Sequence, residues 1–264
     1  MKFSIIMPTW NRANILNCTI NSVMNQTHSE WELLIMDDGS TDETQEILKR
    51  YVEFEKDRGT DRIRVFRHET PRERIISRTE LMREATGDWI LWMDSDDELV
   101  YGALEILKHN IEANPEYKMF NMGQIILSLT GTTLKVANEL PEWSGEGHYH
   151  FDSGLVGTGG FVFHRDCLKE TPEMPQVTNI YEFADRFGEL VEAWFEKNDP
   201  GAPHQKYNQA DKFVGNPWGD DFFMVWLLTR KFKSKKLPLN LYIAYIRTEP
   251  WQYERAFISG TMLC

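Results

Sequence analysis

Three short apolar runs, residues 3–7, 31–36 and 89–93, and a further strand-like segment, residues 62–67, alternate with stretches of helical periodicity, and this alternation is what most constrains the fold. Ile15, Leu16, Thr19, Ile20 and Val23 mark a helix predicted over residues 12–25. A second helix is expected to start from a cap in which Ser40 or Thr41 is followed by Glu43 or Thr44, and to run to about Tyr51. A third is expected over residues 76–85. Strands alternating with helices predict an α/β fold, a mainly parallel sheet flanked by helices.

Sheets of this kind bind ligands beyond the carboxyl ends of their strands. Residues 8–12, 37–42 and 94–98 each follow a predicted strand, so the three segments are expected to meet at one edge. The last of them places four acids, Asp94, Asp96, Asp97 and Glu98, within five residues. Acids this crowded repel one another and call for a cation. Mg²⁺ and Mn²⁺ accept carboxylate oxygens and commonly share them with substrate phosphates. Asp94 and Asp96, one residue apart, can share a metal or divide the work between metal and ribose, while Asp97 can brace the loop. A solvated acidic turn at the start of a helix near Leu99 is the alternative. In the second segment Asp38 can accept the N3–H of a uracil-like base, with Asp37 serving backbone groups behind the strand; a turn and helix cap would use the same residues.

At 264 residues the chain can form one large α/β domain or two closely packed lobes. A net charge of -12 argues against general nucleic-acid binding, which depends on positive charge. Cys18, Cys167 and Cys264 form no CxxC pair, so neither a zinc site nor a disulfide framework is indicated. The first apolar run is too short for a signal peptide, and no segment approaches the roughly 20 apolar residues of a membrane span. The expectation is a soluble, cytoplasmic protein. Arg230, Lys231, Lys233, Lys235 and Lys236 form a basic cluster that suits a helix end or weak peripheral contact with anionic lipid. Beyond residue 114 glycines and prolines interrupt shorter apolar segments, with helices expected over residues 180–197 and 221–231.

Ser4-Ile5-Ile6-Met7-Pro8-Thr9-Trp10-Asn11-Arg12, Gln26-Thr27 and the run from Trp31 to Asp42 occur in order along the chain. They are followed by Ser77-Arg78-Thr79, by Ala85-Thr86-Gly87-Asp88-Trp89-Ile90-Leu91 and by Asp94-Ser95-Asp96. Together these segments resemble the opening of the family 2 glycosyltransferases, over residues 3 to about 100. The resemblance implies a GT-A-like, Rossmann-like fold: a nucleotide-sugar-binding half over residues 1–115 and a smaller, irregular acceptor-binding half over residues 116–264, in one compact unit. It implies an inverting transfer from a nucleotide-diphosphate sugar, UDP-sugar favoured, to a carbohydrate or lipid-linked acceptor, with Mn²⁺ or Mg²⁺ on the diphosphate.

By position, Pro8, Thr9 and Asn11 would line the nucleoside pocket, Asp38 would contact the base, and Arg74 or Arg78 the base or phosphates. Asp94, with Ser95 beside it, would face ribose or metal, and Asp96 would be the principal metal ligand. Asp221 matches the family's general base and Asp220 its acidic neighbour, with Trp218 beside them as an acceptor-binding aromatic. Thr79 stands where the family usually has Asn, and the His often found after the last strand is absent from residues 241–248. Arg247 is therefore a candidate for the diphosphate and His164 an alternative metal ligand. A catalytically silent nucleotide-sugar-binding protein would share these features apart from any need for Asp221. A sugar nucleotidyltransferase would share the metal acids but carry a Gly-rich basic loop where Pro8-Thr9-Trp10-Asn11 stands.

Overall fold

The computed structural model describes residues 1–72, 74–128, 133–137, 159–171, 228 and 231–246. Strands β1 (Phe3–Thr9), β2 (Trp31–Asp37), β3 (Ile63–Arg67) and β4 (Trp89–Trp92) pair in parallel in the order β3-β2-β1-β4. All seven residues of β1 and of β2 are buried, which is why they read as unbroken apolar runs rather than alternating ones. Helices α1 (Leu16–Met24), α2 (Thr44–Asp57), α3 (Arg74–Glu84) and α4 (Ala103–Ala113) flank the sheet. Leu16, Ile20 and Val23 of α1, Ile47 and Leu48 of α2, and Leu104 and Leu107 of α4 share one core with Phe3, Ile5, Met7, Leu33 and Ile35. Helix α3 packs over β1 and β2, and strand alternation turns Ile6 and Leu34 to the face opposite that core.

The second part of the chain continues the same sheet. Strand β8 (Phe161–His164) lies antiparallel to β4, and β6 (Met119–Ser128) antiparallel to β8. Strand β9 (Ser234–Ile246) then runs parallel to β6, and β7 (Thr133–Ala137) pairs with β6 off the main path. Helix α5 (Cys167–Glu170) is a single turn after β8. Among the described residues no helix is long and apolar enough to cross a membrane.

Three expectations change. Helix α2 runs past Tyr51 to Asp57, because buried Glu55 anchors its last turn to Thr60 Oγ1 at 2.6 Å and Arg62 Nε at 2.9 Å. Its first turn is served by Asp42, whose Oδ1 accepts Thr44 N–H at 3.0 Å, and not by Ser40 or Thr41. No helix starts near Leu99: Glu98–Leu99 form strand β5 against Ile243 and Tyr242 of β9, and α4 begins at Ala103. Cys167 is free and buried.

At the amino-terminal end of the parallel strands a single carboxylate joins four segments. Glu32 accepts Ser4 Oγ at 2.5 Å, Thr86 N at 2.7 Å, Lys2 Nζ at 3.1 Å and Arg64 Nη2 at 3.2 Å. Burial raises its pKa, but the bonds from Ser4, Thr86 and Lys2 outweigh it and hold the carboxyl at about 2.

Candidate active site

At the opposite, carboxyl end of the parallel strands the three expected segments meet. Asn11 N–H donates to Ser40 Oγ at 2.9 Å, and Asn11 Oδ1 accepts Thr41 N–H at 2.8 Å. Arg12 N–H donates to Thr44 Oγ1 at 2.9 Å and Ala13 N–H to Asp42 Oδ2 at 3.1 Å. The loops after β1 and β2 are thus stitched side by side. Asn11 sits at φ +50, a left-handed conformation that asparagine tolerates better than most residues, and its side chain serves this scaffold. The loop after β4 joins them through Thr19 Oγ1, which donates to Ser95 O at 3.0 Å, and through Arg12 Nε, 3.7 Å from Asp96 Oδ2.

Pro8 and Thr9 end β1 at this edge. Thr9 is buried, yet its Oγ1 has no hydrogen-bond partner among the described residues. Thr79, at the position where the resembled family usually has Asn, is likewise buried with an unpartnered hydroxyl. Asp37 behaves as expected, with Oδ1 accepting Ser40 N–H at 2.9 Å and Oδ2 paired with Arg67. Asp38 is buried, and its Oδ1 accepts from Arg72 N at 2.9 Å and faces His68 Nδ1 at 2.6 Å.

The acid loop separates into distinct roles. Asp94 Oδ1 receives Arg78 Nη2 at 2.6 Å, and the buried Arg78 guanidinium lies 5.3 Å from the centre of the Trp92 ring. Arg78, expected to reach the base or the phosphates, thus stands beside Asp94 at this edge. Arg74, the other candidate, opens α3 and is half-buried. Ser95 is buried and contributes its carbonyl to Thr19.

Asp97 is buried as well. Its Oδ2 accepts Tyr242 OH at 2.9 Å and its Oδ1 accepts Tyr245 N–H at 3.1 Å. Burial first, then the neighbouring Asp96 and Asp94, push the Asp97 pKa well above the carboxylate range. Tyr242 OH also accepts Asp94 N–H at 3.1 Å, so one phenol braces two residues of the loop. The ring fits because Gly159 has no side chain: a Cβ there would lie 2.5 Å from a Tyr242 ring carbon. Glu98 Oε1 accepts Tyr245 OH at 2.8 Å from strand β5.

Asp94 and Asp96 are the residues expected to hold a cation. They are hard oxygen donors one residue apart, each facing an arginine, Arg78 and Arg12, which answers the repulsion within the loop. Among the described residues no group of three or more His, Cys, Asp or Glu side chains is placed to hold a metal. Two carboxylates would leave the remaining positions of a bound ion to water and substrate oxygens.

His164 is not part of the site. It pairs with Trp89 at the far end of β4, stands edge-on to that ring at 5.2 Å, and accepts Asp166 N–H on Nδ1 at 3.2 Å. Asp220, Asp221, Trp218 and Arg247 lie outside the described residues, as do the helix expected over 180–197 and Arg230 of the basic cluster. Lys231 and Lys233 of that cluster are exposed, and Lys235 Nζ sits 5.1 Å from the centre of the Tyr117 ring. Sequence reasoning missed Arg67, His68, Tyr242 and Tyr245. His68 follows β3, and a motif search at every strand end, including this one, would have reached it.

A sequence profile described as Glycosyl transferase family 2 matches residues 4–152. The chain is similar to the UDP-Glc:alpha-D-GlcNAc-diphosphoundecaprenol beta-1,3-glucosyltransferase WfgD of Escherichia coli, 33% identical over 129 residues, 47% of this chain and 48% of that protein. It is also similar to the GalNAc(5)-diNAcBac-PP-undecaprenol beta-1,3-glucosyltransferase of Campylobacter jejuni, 31% identical over 147 residues, 55% of this chain and 43% of that protein. The chain spans about half the length of these relatives, or less. Its fold matches crystal structures of S. aureus TarS residues 1–349 in complex with UDP and with UDP-GlcNAc, at TM-scores of 0.62 and 0.64 and 18% identity. These matches cover 93% and 94% of this chain and 61% and 60% of those chains.

Proposed function

This chain belongs to glycosyl transferase family 2, and from that premise we propose that it is an inverting, metal-dependent transferase that moves a sugar from a UDP-sugar to an acceptor hydroxyl. The observation that carries the reading is the meeting, at one edge of the sheet, of the loops that carry Thr9, Asp38, Asp94 and Asp96. The solved UDP and UDP-GlcNAc complexes of a protein of the same fold support a uridine nucleotide. Relatives named for undecaprenol-linked substrates support a lipid-linked acceptor and a role in polysaccharide assembly. Such an acceptor sits at a membrane, which suits a cytoplasmic enzyme in weak peripheral contact with it through the basic cluster of Arg230 to Lys236.

In this reading Asp38 accepts an N–H of the base, and Asp94 and Asp96 would hold Mn²⁺ or Mg²⁺. When bound, the cation would offset negative charge developing on the departing diphosphate. Asp221, with Asp220 beside it, takes the proton from the acceptor hydroxyl. The acceptor oxygen forms its bond to the anomeric carbon from the face opposite the diphosphate, the carbon–diphosphate bond breaks, and the nucleoside diphosphate leaves. Arg247 contacts the diphosphate, and Trp218 offers an aromatic face to the acceptor sugar.

The test is transfer of labelled sugar from a UDP-sugar to an undecaprenol-linked acceptor, paired with UDP titration. Asp221→Asn is expected to lower transfer by about 10²–10⁴-fold with UDP affinity retained. Asp96→Asn is expected to weaken UDP binding only when Mn²⁺ is present. Wild-type turnover by Asp221→Asn would overturn the assignment of the base.

A further inference from the structure

His68 lies just beyond β3, with a buried ring whose two nitrogens both face carboxylates. Nδ1 is 2.6 Å from Asp38 Oδ1 and Nε2 is 2.7 Å from Glu80 Oε2. The other oxygen of Glu80, Oε1, accepts Arg72 Nη1 at 2.9 Å, and the Arg72 backbone N–H returns to Asp38 Oδ1 at 2.9 Å. Asp38, His68, Glu80 and Arg72 therefore close a ring drawn from the loop after β2, the end of β3, helix α3 and the loop before it. Gly39, at φ +77, lies directly under that loop: a Cβ there would come within 3.0 Å of Pro71.

An ionised carboxylate has only lone pairs to offer, so a nitrogen facing it forms a hydrogen bond only by bringing a hydrogen. His68 Nδ1 thus donates to Asp38 Oδ1, while Arg72 sets a positive charge against Glu80. Nearby, Asp37 and Arg67 are paired with each other. Hydrogen bonds between charged groups are roughly twice as strong as neutral ones, so the ring fixes the Asp38 carboxylate firmly.

Resting on the reading of Asp38 as the base contact, we propose that His68 is a positioning residue that sets the nucleobase preference. Two donors converge on Asp38 Oδ1, from His68 and from the Arg72 backbone, and they fix how the carboxylate is turned. A carboxylate held as an acceptor favours a base with N–H at that edge, such as uracil at N3. It disfavours cytosine, whose N3 turns a lone pair toward the carboxylate. Glu80 and Arg72 act one step further back by holding His68 and the loop.

The experiment is calorimetric titration of the full chain with UDP and with CDP in Mn²⁺, for wild type, His68→Gln and Glu80→Gln. His68→Gln is expected to weaken UDP about tenfold, the scale of one charge-assisted hydrogen bond, with CDP within about twofold of wild type. Glu80→Gln keeps His68 and is expected to narrow the UDP-to-CDP ratio in the same direction by a smaller factor. If His68→Gln does not fold, the Glu80→Gln ratio decides. Equal losses for both nucleotides, the mark of a merely structural role, or an unchanged ratio would overturn the proposal. A wild type that binds UDP no more tightly than CDP would overturn the reading of Asp38 itself, and the role of His68 with it.

Discussion

Tyr242 is a fully buried phenol that both donates and accepts within the acid loop. Burial first, then Asp97 and Asp94, hold its pKa well above the ordinary tyrosine range, so it stays a neutral donor at any physiological pH. Tyr242→Phe keeps the ring against Gly159 but strips Asp97 Oδ2 and the Asp94 N–H of a partner. The expected cost is about 1–3 kcal/mol of stability, read from urea unfolding with an unchanged slope. A change of only a few tenths would mean that water replaces the phenol. Asp94, Asp96 and Asp38 were legible in the sequence because their signal is local: acids at a strand end need no knowledge of distant partners. Tyr242 was not, since it meets Asp97 across 145 residues and its role depends on strand register. His68 meets Asp38 across 30 residues and was hidden for the same reason.

Among the elements, strands β1, β2 and β4 were readable because burial on both faces leaves a largely apolar run. Strand β5 was not, because two residues acquire strand geometry only by pairing with β9. The latch on β2 yields a prediction in pH. Glu32 is lowered to about 2 in the folded chain from an ordinary 4.5, so its contribution is fully present above about pH 4.5 and fades as pH falls toward 2. Glu32→Gln is expected to cost on the order of 3 kcal/mol at neutral pH and only about 1 kcal/mol near pH 3, measured by urea unfolding at both. A gap that does not narrow would show that the latch holds by shape rather than by charge.

For the whole molecule, a nucleotide that bridges loops from three strands should stabilise the entire sheet. UDP with Mn²⁺ at about a hundredfold over its dissociation constant is expected to add about 2.7 kcal/mol and raise Tm, with UDP alone giving less. A thermal shift identical with and without Mn²⁺ would count against a cation at Asp94 and Asp96. The pairing of β5 with β9 has a further consequence, in the order of events along a growing chain. Strands β1 to β4 hold their mutual contacts within the first 92 residues, whereas the acid loop receives its last backbone partner from Tyr245, 148 residues further on than Asp97. Closing so long a loop is slow relative to forming neighbouring contacts. As the chain leaves the ribosome, the edge proposed to recognise the base can therefore take shape early, while the carboxylates proposed to hold the metal are locked in place only after Tyr245 has been made.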